Sequence, residues 1–597
     1  MTGERASSLT SLFFDQAARQ GDQPFLWAKT ADPETGADDA ARYRAISWRE
    51  TSEKVNALAR GLLRLGLQRG DRVSLVAENR PEWLIADLAI MAAGGVSVPA
   101  YVTNGVAEHQ HVLANSGARF AIVSNAALAA KLLPAAARTD VAHVVAMEPV
   151  ARSQAATFEL HGWDAALELG RASAAELPQL ARGDLACIIH TSGTGGAPKG
   201  VMLSHGAILS NCEGARALLE AIGLGHEVFL SFLPLSHSYE HTAGLYVPIM
   251  IGAEVYYAEG IDTLAANMAE ARPTIMTAVP RLYETMQGRI LRGLERAKPL
   301  QKKLFFRTVT LGRKAIETPG DMTLLEKLEN CLLTLLVRRK VRARFGGRLK
   351  AFVSGGAPLN PEVGLFFTAL GVTILQGYGQ TESAPVVSCN FPGSMKMDTV
   401  GPPLPGVEVK IAEDGEILVR GELVMQGYWN EPQATAEAIK DGWLHTGDIG
   451  MIDEAGRLKI TDRKKDIIVN SGGDNISPQR VEGFLTLEPE IAQAMVVGDK
   501  KPYLVALIVP DETALKDWAR ETGKPEAEAL ADPAFKARIG EAVKRATGTL
   551  SVIERVRHFA FADEPFAIAN EQLTPSLKIR RHIIKARYGE RLESLYR

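Results

Sequence analysis

The spacing of apolar positions changes several times along the chain, and each change marks a change of element. After Ser47-Trp-Arg-Glu50, which has the form of a capping box, Val55, Leu58, Ala59, Leu62 and Leu63 recur at helical spacing until Gly66. A helix closing at Gly66 is expected. The run from Arg72 to Ala77, a segment opening on Pro81 and the run from Val96 to Val98 read as strand, helix and strand. Runs of the same kind recur at 120–124, 186–189, 274–278, 350–353 and 373–375. This alternation implies α/β layers with parallel strands. From 400 to 461 the runs shorten and are separated by turns such as Glu413-Asp-Gly415 and Glu454-Ala-Gly456, which predicts a small antiparallel β subdomain. Beyond Arg463, strand-like runs at 494–497 and 504–509 mix with helical stretches. The expected organisation is a large N-terminal domain over residues 1–463 and a smaller α+β domain over 464–597.

Size and composition fit that picture. A chain of 597 residues exceeds what one core fills, and 46% apolar with 23% charged residues is the balance of a globular protein. A formal net charge of -3 gives no overall attraction to nucleic acid. The opening MTGERASSLTSLFF lacks the apolar core of a secretory signal, so a cytoplasmic location is expected. The apolar stretches 84–98 and 242–253 are interrupted and fall short of the roughly 20 residues a spanning helix needs. Cys187, Cys212, Cys331 and Cys389 lie far apart without CxxC pairs and read as reduced, packed thiols. The stretch 289–350 is helical in period and rich in Lys and Arg. It reads as a solvated amphipathic hairpin, with peripheral contact to an anionic membrane surface, such as the inner membrane, as the alternative.

One segment carries chemistry by itself. His190-Thr191-Ser192-Gly193-Thr194-Gly195-Gly196-Ala-Pro-Lys199-Gly200 follows an apolar strand and combines hydroxyls, glycines and a lysine. Glycines let backbone N–H groups approach phosphate oxygens, hydroxyls donate further hydrogen bonds and Lys199 adds a point charge. It is a phosphate cradle without the GxxxxGK[ST] order of a Walker loop.

At this loop the chain resembles the adenylate-forming superfamily of acyl-CoA synthetases, adenylation domains and luciferases, whose loop reads approximately TSGTTGxPKG. Gly195 stands where that family usually has Thr. Four further segments follow in the family's order: Gln376-Gly377-Tyr378-Gly379-Gln380-Thr381-Glu382, Gly442 to Asp448, Asp462-Arg463-Lys464-Lys465-Asp466, and Leu573 to Lys578. The resemblance implies ATP, Mg²⁺ and CoA as cofactor and co-substrates. Tyr378 then faces adenine, Ser354-Gly355-Gly356-Ala357-Pro358 forms the second wall, Glu382 and Thr191 hold magnesium, and Asp448 with Arg463 holds ribose. It also makes Lys578 the catalytic lysine, Lys465 the hinge, and Ser471, Gly472 and Gly473 part of the thiolation face. His237 of His237-Ser-Tyr-Glu-His241 falls on the acyl pocket, while the same H-x-x-E-H order is also an inverted zinc-protease pattern. The insertion and the sequence endings resemble the long-chain branch. The implied reaction is activation of a fatty acid to acyl-AMP and transfer to CoA. Transfer to a carrier protein, medium-chain or aryl acids, and nucleotide binding without catalysis are the alternatives.

Overall fold

The computed structural model describes residues 5–30, 42–151, 157–191, 198–548, 550–574 and 578–597. The first expected helix forms over Trp48–Arg64, with the Ser47 side chain accepting from the Glu50 N–H. Gly66, at φ 96°, follows it. Helix Pro81–Ala92 is buried on nearly every side. Its apolar sequence therefore belongs to a protein interior, and no helix among the described residues is long and apolar enough to cross a membrane.

Two eight-stranded sheets build the large region. In the first, Val96–Pro99, Arg72–Val76, Phe120–Val123, His143–Ala146 and Glu159–Gly162 run parallel, and Leu185–Thr191 joins Val96–Pro99 in parallel but pairs antiparallel with Lys199–Ser204. In the second, Ile374–Gly379, Ala351–Ser354, Ile275–Ala278, Val228–Ser231 and Glu254–Tyr257 are parallel neighbours. Helices Trp48–Arg64, Pro81–Ala92 and His205–Glu220 contribute to a single apolar core shared by both sheets. Strands covered on both faces need continuous apolar runs, which is why these strands read as runs in the sequence.

The antiparallel subdomain is a five-stranded sheet built on Glu416–Arg420 and Trp443–Ile452. Its Asp448 lies opposite Arg463 across the strand pair. The C-terminal residues carry two apolar cores of their own around the three-stranded sheet of Ile491–Val497, Leu504–Pro510 and Val556–Phe561. There Arg581 forks onto Glu482 with two bonds of 2.7 and 2.6 Å.

The 289–350 stretch forms the expected helical hairpin, but one side of it is not solvated and lines an apolar space. After Pro280–Glu295, helix Pro299–Glu317 packs on the continuous helical stretch 324–344 through Leu311, Met322 and Leu333, and the buried Arg338 joins the pair to the body by donating to the Ala369 carbonyl at 2.7 Å. Pro299 opens the first arm, and a short turn around Pro319 separates it from the second. A face carrying Leu324, Leu325, Leu328, Leu332 and Leu335 stays exposed. Cys331 lies on the same helix and is exposed, unlike the other three thiols, which are buried as expected.

Candidate active site

Ligands of open α/β sheets bind beyond the carboxyl ends of the strands. Both large sheets end at one place here. Tyr101, Thr191 and Lys199 from the first sheet face Gly355, Gly356, Gly377, Tyr378 and Gly379 from the second across a polar cleft of 550 Å³. Ser192, Gly193, Thr194, Gly195 and Gly196 lie outside the described residues, but both stems of their loop are fixed. Thr191 pairs with Lys199 across the hairpin, and His111 Nε2 donates to the Pro198 carbonyl at 3.0 Å. Burial and neighbouring His111 push the His190 imidazole down to about 4, so it is neutral and donates to Asn115 Oδ1 at 2.9 Å.

The Gln376–Glu382 segment supplies the opposite wall. A Cβ on Gly379 would meet the Pro385 carbonyl at 1.8 Å, and one on Gly355 would meet the Tyr239 ring at 3.0 Å, so each glycine permits a close approach that builds the wall. The Tyr378 hydroxyl donates to Asp448 Oδ2 at 2.7 Å, while Arg463 Nε donates to Oδ1 at 3.2 Å. Asp448 is therefore buried and held by both neighbours. Thr381 bonds Ser238 at 3.0 Å, and Glu382 Oε1 accepts from the Tyr428 hydroxyl at 2.8 Å. Lys199 Nζ stands 5.1 Å from the centre of the same Tyr428 ring. Tyr428 thus joins the lysine and the carboxylate that the sequence motifs mark separately. The sequence reading passed over it, and its only local signal is a hydroxyl-bearing ring between Gly427 and Trp429.

A second space of 1670 Å³ adjoins the cleft. Its walls are mainly apolar and include Met268, Met286, Ile290, Gly293, Leu294, Leu304 and Phe305. Tyr101, His237, Tyr239, Gly356 and Lys578 line both spaces. Ala357 faces the apolar chamber and Lys465 the polar cleft, whereas Gln376, Pro358 and the exposed Ser471, Gly472 and Gly473 line neither. The triplet is fixed in its own turn, with Asn470 Oδ1 accepting from the Gly472 N–H at 2.9 Å.

A family model described as AMP-binding enzyme matches residues 13–429, and one described as AMP-binding enzyme C-terminal domain matches 465–597. The chain belongs to the AMP-binding enzyme family. Within it, a long-chain-fatty-acid CoA ligase of Mycobacterium bovis is 35% identical over 566 residues, covering 92% of each chain. A peroxisomal long-chain acyl-CoA synthetase of Arabidopsis thaliana is 32% identical, covering 93% of this chain and 82% of that one. These relatives put the chain in the long-chain acyl-CoA synthetase branch of the adenylate-forming superfamily. Among solved structures, the adenylation domain of a carboxylate reductase from Mycobacterium chelonae matches with a TM-score of 0.79 at 24% identity, covering 100% of this chain and 92% of that one. It shares the fold.

The electrostatics of this AMP-binding enzyme centre on the shared wall. Nδ1 of His237 accepts from the Tyr239 N–H at 3.2 Å, which leaves the ring proton on Nε2. Desolvation, helped by the charge of Lys578, pushes this imidazole down to about 4. It is a neutral donor at pH 7. Desolvation by the surrounding protein, with Arg463 beside it, lowers the pKa of Lys578 against the opposing pull of Asp448 and Glu382. Behind the wall, His241 Nε2 lies 3.0 Å from Asp87 Oδ2, which also accepts from Tyr246 at 2.6 Å. Glu240 accepts from Ser231 at 2.7 Å and from Thr277 at 2.5 Å, and burial pushes its carboxyl up to about 7. The three side chains of the H-x-x-E-H pattern therefore have separate partners and do not converge as zinc ligands.

Proposed function

We propose that the chain is an ATP-dependent, AMP-forming ligase that joins a long-chain fatty acid to CoA. The observation that carries this is the apolar chamber sharing its wall, at His237 and Lys578, with the polar cleft. A fatty acid laid in the chamber brings its carboxylate to that wall. Each buried methylene contributes about 0.8 kcal/mol, so an apolar space of this size favours long chains over short ones.

In the first step a carboxylate oxygen attacks the α-phosphorus of ATP. A P–O bond forms and the bond to the leaving pyrophosphate breaks, giving acyl-AMP. Two anions must approach, and a cation beside them lowers that barrier. Lys578 is assigned this role. His237 Nε2–H donates to the carboxylate and orients it without adding a charge. Tyr378 and the Gly355–Pro358 segment form the adenine walls, and Asp448 with Arg463 binds the ribose hydroxyls. Thr191 and Glu382 would hold Mg²⁺. Their hard oxygens fit it, and Glu382 is already oriented by Tyr428. When bound, the ion neutralises phosphate charge. In the second step the CoA thiolate attacks the acyl carbon, the thioester forms and AMP leaves.

The chain divides into residues 1–463 and 464–597 with Lys465 as the hinge, because separate steps use separate faces of the smaller domain. The exposed Ser471–Gly473 turn forms the face used for thiolation. The exposed leucines of Leu324–Leu333, flanked by Arg339, Lys340, Arg342 and Arg344, rest on anionic lipid, where the fatty acid is collected. Flotation with anionic liposomes tests this contact, and unchanged binding after Leu324, Leu328 and Leu332 become Ser would refute it. The reaction itself is tested with carboxylic acids of graded length, ATP and free CoA. Acyl-CoA rising with chain length supports the reading, and acyl-AMP accumulating without thioester points to a carrier protein as acceptor.

A further inference from the structure

At the edge of the first sheet, away from the cleft, three side chains converge that the ligase reaction does not use. His143 opens the strand His143–Ala146 and lies opposite Glu159 on the terminal strand Glu159–Gly162, while His161 sits two residues further along, opposite Val145. Side chains two residues apart on a strand share one face, so His143, Glu159 and His161 all project from the same side. His143 Nδ1 is 3.2 Å from His161 Nε2 and 3.7 Å from Glu159 Oε2, and His161 Nε2 is 3.6 Å from the same oxygen. A point equidistant from three atoms so spaced lies about 2 Å from each, the bond length of zinc to imidazole nitrogen and carboxylate oxygen. Among the described residues this is the single group of three such side chains whose ligand atoms lie within 4.8 Å of one another.

We propose that His143, Glu159 and His161 form a binding site for a first-row divalent cation of the zinc type, which pins the terminal strand to its neighbour. Two imidazoles with one carboxylate are a donor set suited to zinc, with a fourth position left for water. The His143 ring is held in place by stacking on Phe120 at 4.9 Å, and both imidazoles are only one-fifth exposed, so two of the three ligands are already oriented. Edge strands offer unpaired backbone to other chains and are commonly guarded, and a metal bridge would guard this one.

The experiment uses the full chain, stripped with chelator and kept free of nucleotide. Co²⁺ titration followed by visible absorption reports the number and kind of ligands, and Zn²⁺ titration by calorimetry gives the affinity. The expected result is one equivalent bound, with affinity falling by more than about tenfold in His161→Ala and in Glu159→Gln. Zn²⁺ should raise the melting temperature of the parent but of neither variant. Glu382→Gln, at the nucleotide site, should bind like the parent, and acyl-CoA formation by His161→Ala should match the parent. Equal affinity in His161→Ala and the parent would overturn the site, as would the absence of stoichiometric binding. In that case the two imidazoles share only a hydrogen bond.

Discussion

The chamber and the cleft meet at His237 and Lys578, yet they are built on opposite plans. The chamber is lined by helices whose apolar side chains make few directional demands, so its selectivity lies in volume. The cleft is lined by strand ends and turns in which nearly every named group is already bonded to another: Tyr378 to Asp448, Asp448 to Arg463, Tyr428 to Glu382 and Thr381 to Ser238. Such preorganised polar groups are worth most where water is excluded. The difference implies that changes in the cleft act on rate and nucleotide affinity, whereas changes in the chamber act on which acid is chosen.

The largest expected break is at the shared wall. Lys578→Ala should lower acyl-AMP formation by roughly 10²- to 10³-fold, read by pyrophosphate exchange, while thioester formation from supplied acyl-AMP should survive. Next comes the cleft. Asp448→Asn weakens two bonds that carry its charge, at about 1.5–3 kcal/mol, and should raise the KM for ATP by up to roughly 100-fold with the order of acid preference intact. In the chamber, Gly293 has open space around it, so Gly293→Phe fills volume without distorting the fold. If it displaces about three methylenes, kcat/KM for the longest acid should fall roughly 50-fold while that for short acids holds. A parallel fall for all lengths would erase the contrast between the two spaces. Tyr428→Phe frees Glu382 and should cost roughly tenfold, seen as a higher Mg²⁺ requirement. The smallest effect concerns stability. Glu240 titrates near 7 in the fold against an ordinary value of 4.5, so folding loses stability as pH rises from 4.5 to 7 and carries the whole penalty above 7. Glu240→Gln should remove at most about 3 kcal/mol of that dependence and narrow the difference in melting temperature between acid and neutral pH.

Much of this was legible in the sequence, for reasons of geometry. Buried parallel strands must be apolar on both faces, so Leu185–Thr191 and Ala351–Ser354 announce themselves, and Ser47 marks a helix start because its role is local. What failed was long-range. Asp87 looked like an interruption in an apolar run, and only the fold brings it to His241, more than 150 positions away. The insertion was a helical hairpin as its period required, but the expectation of a solvated one missed that Leu304, Phe305, Leu336 and Val337 turn toward the chamber. Tyr428 acts on Glu382 across a shorter gap of 46 positions. Lys578 was recognisable through its motif, while its depressed pKa comes from desolvation by the folded protein and then from Arg463, a neighbour in space only.

The acyl chamber has one more property. Glu482, Gln493, Ala494, Phe566, Ile568 and Lys578 are among the C-terminal residues that form part of its wall, whereas its other linings come from before residue 358. The container is thus assembled from two pieces, like a mould that holds its shape only while clamped. If the hinge proposed at Lys465 carries Lys578 out of the cleft, it would also take away a side of the vessel, and release of the finished thioester would need no separate gate.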